Sequence, residues 1–255
     1  MALMLETIPC LTDNFAFLIH DAESGGTACV DVPDAVPVLA ALQRRGWRLT
    51  DILLTHHHDD HVQGTAALRA ATGAHVAGAA ADANRLPPLD LALTTDMSLP
   101  IGREHARIID VSGHTVGHIA FHFPDSGLVF TGDSLMAAGC GRLFEGTPAQ
   151  MWDSLQRLMA LPPETLVCSG HDYLTGNLAF AAHLEPGNPA LMSRIDRLAE
   201  MRRDGRLPMP SLLSEELATN PFLRAALPAL KTRMGLADAA DATVFAAIRA
   251  AKDKF

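Results

Sequence analysis

The chain carries the stretch Thr55-His56-His57-His58-Asp59-Asp60-His61 directly after the apolar run 52–54. His56 and His58 are two positions apart, so in an extended segment their side chains point to the same side. The last acid and the last histidine of the stretch begin a helical pattern and can face the same point. Imidazole and carboxylate ligands together suit zinc, iron or manganese. A solvated histidine-rich turn is the alternative, and the rest of the chain decides between the two.

A related signal recurs at three later strand ends. Each predicted strand runs into a small residue, a glycine and then a residue of a metal-binding type. Glycine lets the backbone turn sharply and approach closely, and layered α/β proteins place their sites at the carboxyl ends of strands. A helix cap would explain any one of these residues, but the shared pattern favours one metal site. The three junctions are Ser112-Gly113-His114, Thr131-Gly132-Asp133 and Ser169-Gly170-His171.

Composition limits the class of protein. With 255 residues, 48% of them hydrophobic, the chain can form one large domain or two modest ones. Its formal net charge of −9 argues against nucleic-acid binding but leaves room for a local basic pocket. No apolar stretch approaches membrane-spanning length and the N-terminus lacks a basic signal segment, so we expect a cytoplasmic protein without membrane association.

The four cysteines form no Cys-x-x-Cys pair, which favours free, buried thiols in a reducing compartment. Cys140, between two glycines, could instead be a loop thiol near a site.

The order of predicted elements divides the chain into a mixed α and β part, residues 1–172, and an all-α part, residues 173–255. Thr147, Pro148 and Gln150 form a capping box with proline in the first turn, which predicts a helix start. Residues 74–105 give no clear prediction. We predict strands within 8–32 and at 49–54, 107–111, 128–130 and 166–168, and helices at 35–45, 62–72, 178–184, 189–203, 214–217, 222–230 and 242–251.

The ligand motifs resemble the signatures of the metallo-β-lactamase superfamily. The resemblance implies an α+β fold, a four-layer αββα sandwich with a metal site at the rim of its sheets, followed by an all-α C-terminal domain. Further stretches are similar to the glyoxalase II (hydroxyacylglutathione hydrolase) family, so the resemblance covers essentially the whole chain. The superfamily motifs lie at 55–61, 113–118, 130–133 and 169–172, and the family stretches at 138–146, 170–173, 177–181, 185–188, 220–224 and 249–255.

This resemblance implies two divalent metal ions per chain, zinc in the first place, with iron and manganese as alternatives. One ion would be held by His56, His58 and His114, the other by Asp60, His61 and His171, and Asp133 would bridge them. His57 and Asp59 would bind neither ion.

The glutathione pocket implied by the resemblance contains Arg142, Phe144, Tyr173, Arg249 and Lys252. Many family members carry Lys and Tyr where Arg142 and Phe144 stand, which changes the donor geometry and removes one hydroxyl. From spacing alone, a solvated helix face is the favoured interpretation of Arg249 and Lys252, and Tyr173 fits simple packing as well as it fits a pocket.

The implied reaction is hydrolysis of the thioester of S-(2-hydroxyacyl)glutathione, such as S-lactoylglutathione, to glutathione and a 2-hydroxy acid, here D-lactate. A hydroxide shared by the two metals would attack the carbonyl, and Asp60 would orient it. This is the second step of methylglyoxal detoxification, and we expect a monomer with a small-molecule substrate.

Other functions remain open at this point. They are a mononuclear-iron glutathione persulfide dioxygenase, another hydrolase of the same fold, a metal-dependent nuclease, and a metal-binding module without catalysis. The complete second set of ligands and the long helical C-terminus disfavour the dioxygenase, and the acidic charge disfavours the nuclease.

Overall fold

The computed structural model describes residues 2–255, and its strands form two six-stranded sheets and one small hairpin. The first sheet has the order β1-β2-β3-β4-β5-β6 and the second the order β14-β13-β10-β9-β8-β7. The strands are β1 (Met4–Cys10), β2 (Asn14–His20), β3 (Thr27–Val30), β4 (Asp51–Leu54), β5 (His75–Ala79), β6 (Leu91–Leu93), β7 (Ser98–Ile101), β8 (Glu104–Asp110), β9 (Ile119–Phe123), β10 (Leu128–Gly132), β11 (Leu135–Met136), β12 (Gly139–Cys140), β13 (Leu166–Ser169) and β14 (Ser211–Leu212).

Helices cover both sheets and make up most of the C-terminal part. A short 3-10 helix, Ala80–Asp82, follows β5. No helix within residues 2–255 combines the length and the apolar character needed to cross a bilayer. The α-helices are α1 (Ala35–Arg45), α2 (Asp59–Val62), α3 (Thr65–Thr72), α4 (Pro148–Met159), α5 (Leu174–Leu184), α6 (Pro189–Arg203), α7 (Leu213–Thr219), α8 (Pro228–Arg233) and α9 (Asp241–Lys252).

The two sheets pack face to face, and the alternation of side chains along each strand builds the layers. In β2, Phe17 and Ile19 point into the core between the sheets, whereas Ala16 and Leu18 point to the helices outside. Phe130 of β10 meets Phe17 in the central layer with ring centroids 5.5 Å apart. Helices α1 and α3 cover the first sheet, and α4 with the C-terminal helices covers the second. The predicted four-layer αββα sandwich with a helical C-terminal part is confirmed, except that β14, from that part, adds an edge strand to the second sheet next to β13.

Several predicted element bounds are wrong, each for a local reason. The predicted helix at 62–72 is interrupted at Gly64, whose main-chain N–H donates to Val32 O over 2.9 Å. The predicted helix at 222–230 is a series of turns followed by α8, because Pro228 starts a new helix and forces Leu227 to be extended. The unassigned region 74–105 holds β5, β6, β7, the start of β8 and the 3-10 helix, and the strands β9, β11, β12 and β14 were not predicted.

Candidate metal centre and substrate cavity

Three histidines form the first ligand group. His56 and His58 follow β4 in extended backbone, and His114 lies in the loop between β8 and β9. Nε2 of His56 and Nε2 of His114 lie 3.1 and 3.0 Å from Nδ1 of His58. The three candidate ligand atoms therefore converge on one point, and all lie within 4.8 Å of one another.

Asp60, His61 and His171 form the second ligand group, with ligand atoms within the same 4.8 Å limit. Nε2 of His171 lies 3.2 Å from Nε2 of His61 and 3.2 Å from Oδ2 of Asp60. Asp60 and His61 belong to α2, which begins directly after the first two histidines. The change from extended chain to helix therefore separates the two ligand groups.

Asp133 contacts both groups. Its Oδ1 lies 3.3 Å from His61 Nε2, and its Oδ2 lies 3.3 Å from His171 Nε2 and 3.5 Å from His114 Nε2. The residue is only 6% exposed, and Oδ1 has no hydrogen-bond partner. A buried carboxylate whose Oδ1 has no hydrogen-bond partner, and whose two oxygens together face imidazole nitrogens of both groups, fits a ligand that two cations share.

The outer ring nitrogens of three candidate ligands each face an acceptor. A carboxylate or carbonyl acceptor fixes the proton on Nδ1 and leaves the Nε2 lone pair directed at the centre. Such support is typical of metal-binding histidines. The pairs are His61 Nδ1 with Asp31 Oδ2 (2.8 Å), His171 Nδ1 with Asp13 Oδ1 (2.9 Å) and His114 Nδ1 with the main-chain oxygen of Arg142 (2.8 Å).

The pKa shifts of the histidines differ between the two ligand groups. Burial lowers the pKa of His56, His58 and His114, so these imidazoles are neutral ligands. Burial opposes charge on His171 as well, but hydrogen bonds to Asp133 and Asp60 raise its pKa to about 10. Asp133 is also buried, yet His61 and His171 hold its pKa well below the usual range. The second group is thus a centre where cations would displace protons.

Two glycines predicted at the strand ends fit tightly around the centre. Gly132 has a φ of 48°, a left-handed conformation that favours glycine. A Cβ atom on Gly170 would lie 2.5 Å from His61 Cε1 and 2.6 Å from Asp133 Oδ1. The strand ends can bring their ligands together only because these positions lack side chains. The donor set of imidazoles and carboxylates therefore fits two divalent cations of the borderline class.

Three supporting residues were not predicted. Asp31, with a φ of 55°, accepts from Thr55 N over 2.9 Å and from Thr55 Oγ1 over 2.8 Å besides holding His61. Asn14 Nδ2 donates to Asp60 Oδ2 over 3.0 Å, and Asp13 holds His171. Asp31 directly follows the apolar strand β3 without a glycine before it, so only the weaker signal of an acid at a strand end could have found it. No sequence signal joins Asp13 or Asn14 to ligands so distant along the chain.

His57 points away from the ligands, as predicted, into a charged cluster. Its Nδ1 lies 3.0 Å from Oδ2 of the fully buried Asp82, and its Nε2 lies 3.4 Å from Glu145 Oε1. Arg85 contacts both carboxylates, and Glu145 Oε2 accepts from Val116 N over 2.9 Å. The cluster joins the loops that carry the first ligand group. Asp59 is exposed, also as predicted.

His118 lies beneath the centre, fully buried, and neither of its ring nitrogens has a hydrogen-bond partner. Its ring packs against that of His56 with centroids 4.6 Å apart, which agrees with a supporting position rather than a ligand position. Burial holds its pKa well below the usual range, so this ring is neutral.

A cavity of about 690 Å³ opens directly above the centre. That volume suits a ligand the size of a short peptide conjugate. Metal-centre residues His114 and Asp133 line the cavity together with all five residues predicted to bind substrate. Those five are Arg142, Phe144, Tyr173, Arg249 and Lys252.

Two aromatic rings flank the two ligand groups at the cavity mouth. Phe144, 63% exposed, lies with its ring centroid 5.3 Å from that of His114 and 5.7 Å from that of His58. Tyr173 stacks on His171 with centroids 4.7 Å apart and an interplanar angle of 7°. Both rings line the cavity together with the metal-centre residues His114 and Asp133.

Three cations, Arg142, Arg249 and Lys252, line the cavity together with the carboxylates of Asp172 and Asp253. Burial and the nearby charges of Arg249 and Arg142 lower the pKa of Lys252, whose Nζ donates to Gly176 O over 3.1 Å. Arg249 is only 6% exposed, and donates from Nη1 to Cys140 O over 2.8 Å and from Nη2 to Asp253 over 2.9 Å. Clustered cations that lower the pKa of Lys252 favour an anionic ligand.

The four cysteines are free and buried, as predicted. Cys140 lies in the cavity wall, and burial raises the pKa of its thiol to about 11. A protonated thiol of this kind is a poor nucleophile.

Comparisons with known proteins match the whole chain. Residues 20–171 match the model of the metallo-beta-lactamase superfamily, and residues 172–255 match that of the hydroxyacylglutathione hydrolase C-terminus. A protein of Fuscovulum blasticum named hydroxyacylglutathione hydrolase is 71% identical, with 100% of both chains covered. A second protein of that name, from Jannaschia sp. (strain CCS1), is 59% identical over 98% of this chain and 97% of its own.

Two solved structures are similar to this chain in fold. The BLEG-1 B3 metallo-beta-lactamase aligns with a TM-score of 0.67 at 22% identity, covering 86% of this chain and 99% of that one. TTHA1623, solved in a di-iron-bound form, aligns with a TM-score of 0.61 at 29% identity, covering 86% of this chain and 100% of its own.

Proposed function

Because the chain belongs to the hydroxyacylglutathione hydrolase family of the metallo-beta-lactamase superfamily, we propose that it hydrolyses the thioester of S-(2-hydroxyacyl)glutathione. The products are glutathione and a 2-hydroxy acid, D-lactate when the substrate is S-lactoylglutathione, as in the second step of methylglyoxal detoxification. One observation carries the proposal: a single cavity is lined both by metal-centre residues and by three cations.

The metal centre is proposed to hold two divalent ions, with Asp133 shared between the two ligand groups. When bound, these ions would lower the pKa of a water molecule and polarise the thioester carbonyl. The donor set suits zinc, with iron or manganese as alternatives, and the di-iron form of TTHA1623 keeps iron in consideration. Neutral His56, His58 and His114 serve the first ion, and Asp60, His61 and His171 the second.

Asp60 is proposed to orient the attacking water. Hydrogen bonding to His171 holds the pKa of Asp60 well below its usual range, so Oδ2 stays an acceptor at neutral pH. Asn14 donates to the same oxygen and keeps the carboxylate in one orientation. The leaving thiol has an ordinary pKa near 8.5, so the thiolate departs with little need of a proton donor.

Substrate binding is assigned to the cations and rings of the cavity. A glutathione conjugate carries two carboxylates, and Arg142, Arg249 and Lys252 are charge-assisted partners for them. Phe144 and Tyr173 flank the path to the metals and would hold the thioester between them. We also propose that residues 1–172 form the metal-binding domain and residues 173–255 the glutathione-binding domain, in line with the ranges of the two family models.

We further propose that the enzyme is a monomer located in the cytoplasm. The cavity is complete within one chain, which supports a monomer. The net charge of −9 supports a partner that is a small molecule rather than a nucleic acid.

The decisive experiment is a thioester assay on S-lactoylglutathione, with metal analysis on the same sample. We expect hydrolysis, close to two metal ions per chain and loss of activity on chelation. One iron per chain, with oxygen consumption on glutathione persulfide and no thioester cleavage, would instead establish a dioxygenase. A fully metallated protein without either activity would point to a binding module.

A further inference from the structure

Residues 136–140, here called the hairpin segment, join the candidate bridging ligand Asp133 to the candidate substrate residue Arg142. Strands β11 and β12 pair only Leu135 with Cys140 and Met136 with Gly139. Two-residue strands are not stable alone, so contacts from outside must fix the segment. Ala138 at its turn has a φ of 52°, which a non-glycine residue adopts only where its surroundings hold it.

Those outside contacts come from the helical part of the chain. Every residue of the hairpin segment has a main-chain group bonded to a side chain that follows residue 172. Four side chains from three regions of the helical part make these bonds. They join Met136 O and Gly139 O to Asn220 Nδ2 (3.2 and 2.9 Å), Ala137 O to Asn177 Nδ2 (2.9 Å), Ala138 N to Glu216 Oε2 (2.7 Å) and Cys140 O to Arg249 Nη1 (2.8 Å).

The side chains that hold the segment are themselves fixed. Asn220 and Glu216 are fully buried, and Asn220 Oδ1 accepts from Phe222 N over 3.1 Å. Glu216 is paired with the buried guanidinium of Arg194. Polar groups satisfied in a low-dielectric interior hold their geometry strongly. Asn177 also packs against Gly139, where a Cβ atom would lie 2.4 Å from its Nδ2.

The position of the hairpin segment determines where the candidate substrate residues lie. Directly after it, Gly141 N donates to Ser134 O over 3.1 Å, and Phe144 N donates to His114 O over 3.3 Å. Arg142 follows Gly141 without an intervening residue, so a shift of the segment moves the guanidinium and the aromatic ring together. Asn177 lines the cavity, whereas Asn220 is not among its lining residues.

We propose that Asn220 is a positioning residue, which sets substrate affinity by holding the hairpin segment and thereby Arg142 and Phe144. Asn177 and Glu216 assist it from neighbouring helices. The helical part of the chain then has two tasks, contact with the ligand and construction of the loop opposite. The inference rests on the proposed function only for the identity of the ligand.

The test compares Asn220→Ala with Asn188→Ala, both made in the full metal-loaded protein. Asn188 is a matched control in the same helical part: it donates to Ala218 O over 2.9 Å and caps α6, without contact to the hairpin segment. We expect Asn220→Ala to raise KM for S-lactoylglutathione by about tenfold, the loss of roughly one good hydrogen-bonding partner, with a smaller change in kcat and unchanged metal content. Asn188→Ala should lower Tm without changing KM.

A second readout is independent of activity. Amide hydrogen exchange of residues 137–144 should accelerate in Asn220→Ala and stay at the wild-type rate in Asn188→Ala. If Asn220→Ala does not fold, Asn177→Ala removes a single contact to the segment and should change KM and exchange in the same direction. Unchanged KM and exchange in a folded variant, or equal changes in both asparagine variants, would overturn the proposal. If the wild type does not cleave the thioester, the proposed function fails, but the exchange comparison still decides this inference.

Discussion

His114 Nδ1 lies 2.8 Å from the main-chain oxygen of Arg142, so one hydrogen bond joins a candidate metal ligand to a candidate substrate residue. The bond keeps the proton on Nδ1 and leaves Nε2 free for a metal. It also fixes the backbone from which the Arg142 side chain reaches into the cavity. A shift of this loop would therefore move the candidate metal ligand and the candidate substrate residue together.

The bridging position of Asp133 gives the first prediction. Asp133→Ala removes a buried carboxylate that contacts both ligand groups, so we expect metal and activity to be lost together, with kcat lowered by more than about 100-fold. Metal analysis and the thioester assay on the same preparation measure this. Asp153→Ala, at an exposed position of α4, is the control and should retain both. Full activity with fewer than two metals would contradict a shared ligand.

The charged cluster around His57 gives the second prediction. Asp82 is fully buried between His57 and Arg85, so Asp82→Ala leaves two polar groups without their partner and should lower the free energy of unfolding by about 2 kcal/mol. The loops of the first ligand group would loosen, and metal affinity should fall roughly tenfold. Urea unfolding and metal titration measure the two effects.

The control for that variant is Asp204→Ala, which breaks the exposed ion pair with Arg206. Such a pair contributes about 0–1 kcal/mol. Equal metal affinity in the Asp82 variant and the wild type would show that the cluster stabilises the fold without supporting the centre.

Lys252 gives the third prediction. Its partly buried ammonium group lines the cavity, and Lys252→Ala removes one charge-assisted partner for a substrate carboxylate, so KM for S-lactoylglutathione should rise about tenfold with little change in kcat. Lys254→Ala changes an exposed lysine two positions further on and should leave KM unchanged. Equal KM values in the two variants would show that Lys252 does not bind the substrate carboxylate. Steady-state kinetics suffice for this comparison.

Arg249 is a less direct probe of the pocket. Its Nη1 donates to Cys140 O, within the hairpin segment, so Arg249→Ala would alter both the charge and the loop. For that reason the lysine variant tests ligand contact more sharply than the arginine variant or a double variant.

Phe144 gives the fourth prediction. Its ring is 63% exposed and faces the cavity, so Phe144→Tyr adds a hydroxyl without steric conflict and should lower KM by about threefold to tenfold if that group reaches the substrate. Phe144→Leu removes the edge contacts with His58 and His114 and should raise KM. A tyrosine variant indistinguishable from wild type would place the glutathione moiety away from this ring.

Asp21 gives the fifth prediction, on the acid side of the stability profile. Hydrogen bonds from Arg103 hold the pKa of Asp21 far below the unfolded-state value near 4. A depressed pKa stabilises the fold above about pH 4, and this contribution is lost as the pH falls below that value. With chelator present throughout, urea unfolding between pH 5 and about pH 2.5 should therefore show a shallower loss of stability for Asp21→Asn than for wild type. Parallel curves would show that Asp21 does not contribute.

The sequence alone determined the fold class and the set of candidate ligands. The fold class came from the resemblance of the motifs to the metallo-β-lactamase superfamily, whereas the glycines before His114, Asp133 and His171 at the ends of apolar strands are local signals that need no knowledge of the rest of the chain. The helix predicted at 222–230 is wrong because Pro228 disfavours a helical conformation of Leu227 and starts a new helix, whatever the apolar pattern. Both the glycine signals and the wrongly predicted helix concern residues that are neighbours in sequence.

Tertiary structure alone decided what supports those ligands. Asn220 and Met136 are separated by 84 positions, and Asp13 and His171 by 158, so no spacing rule joins either pair. Arg249 is a cation on a helix face in the sequence, but in the fold it is buried against Cys140 O. Candidate ligands can be recognised in the sequence from residue type and position at strand ends. The hydrogen bonds that hold those ligands depend on which distant segments packing brings within about 3 Å of each other.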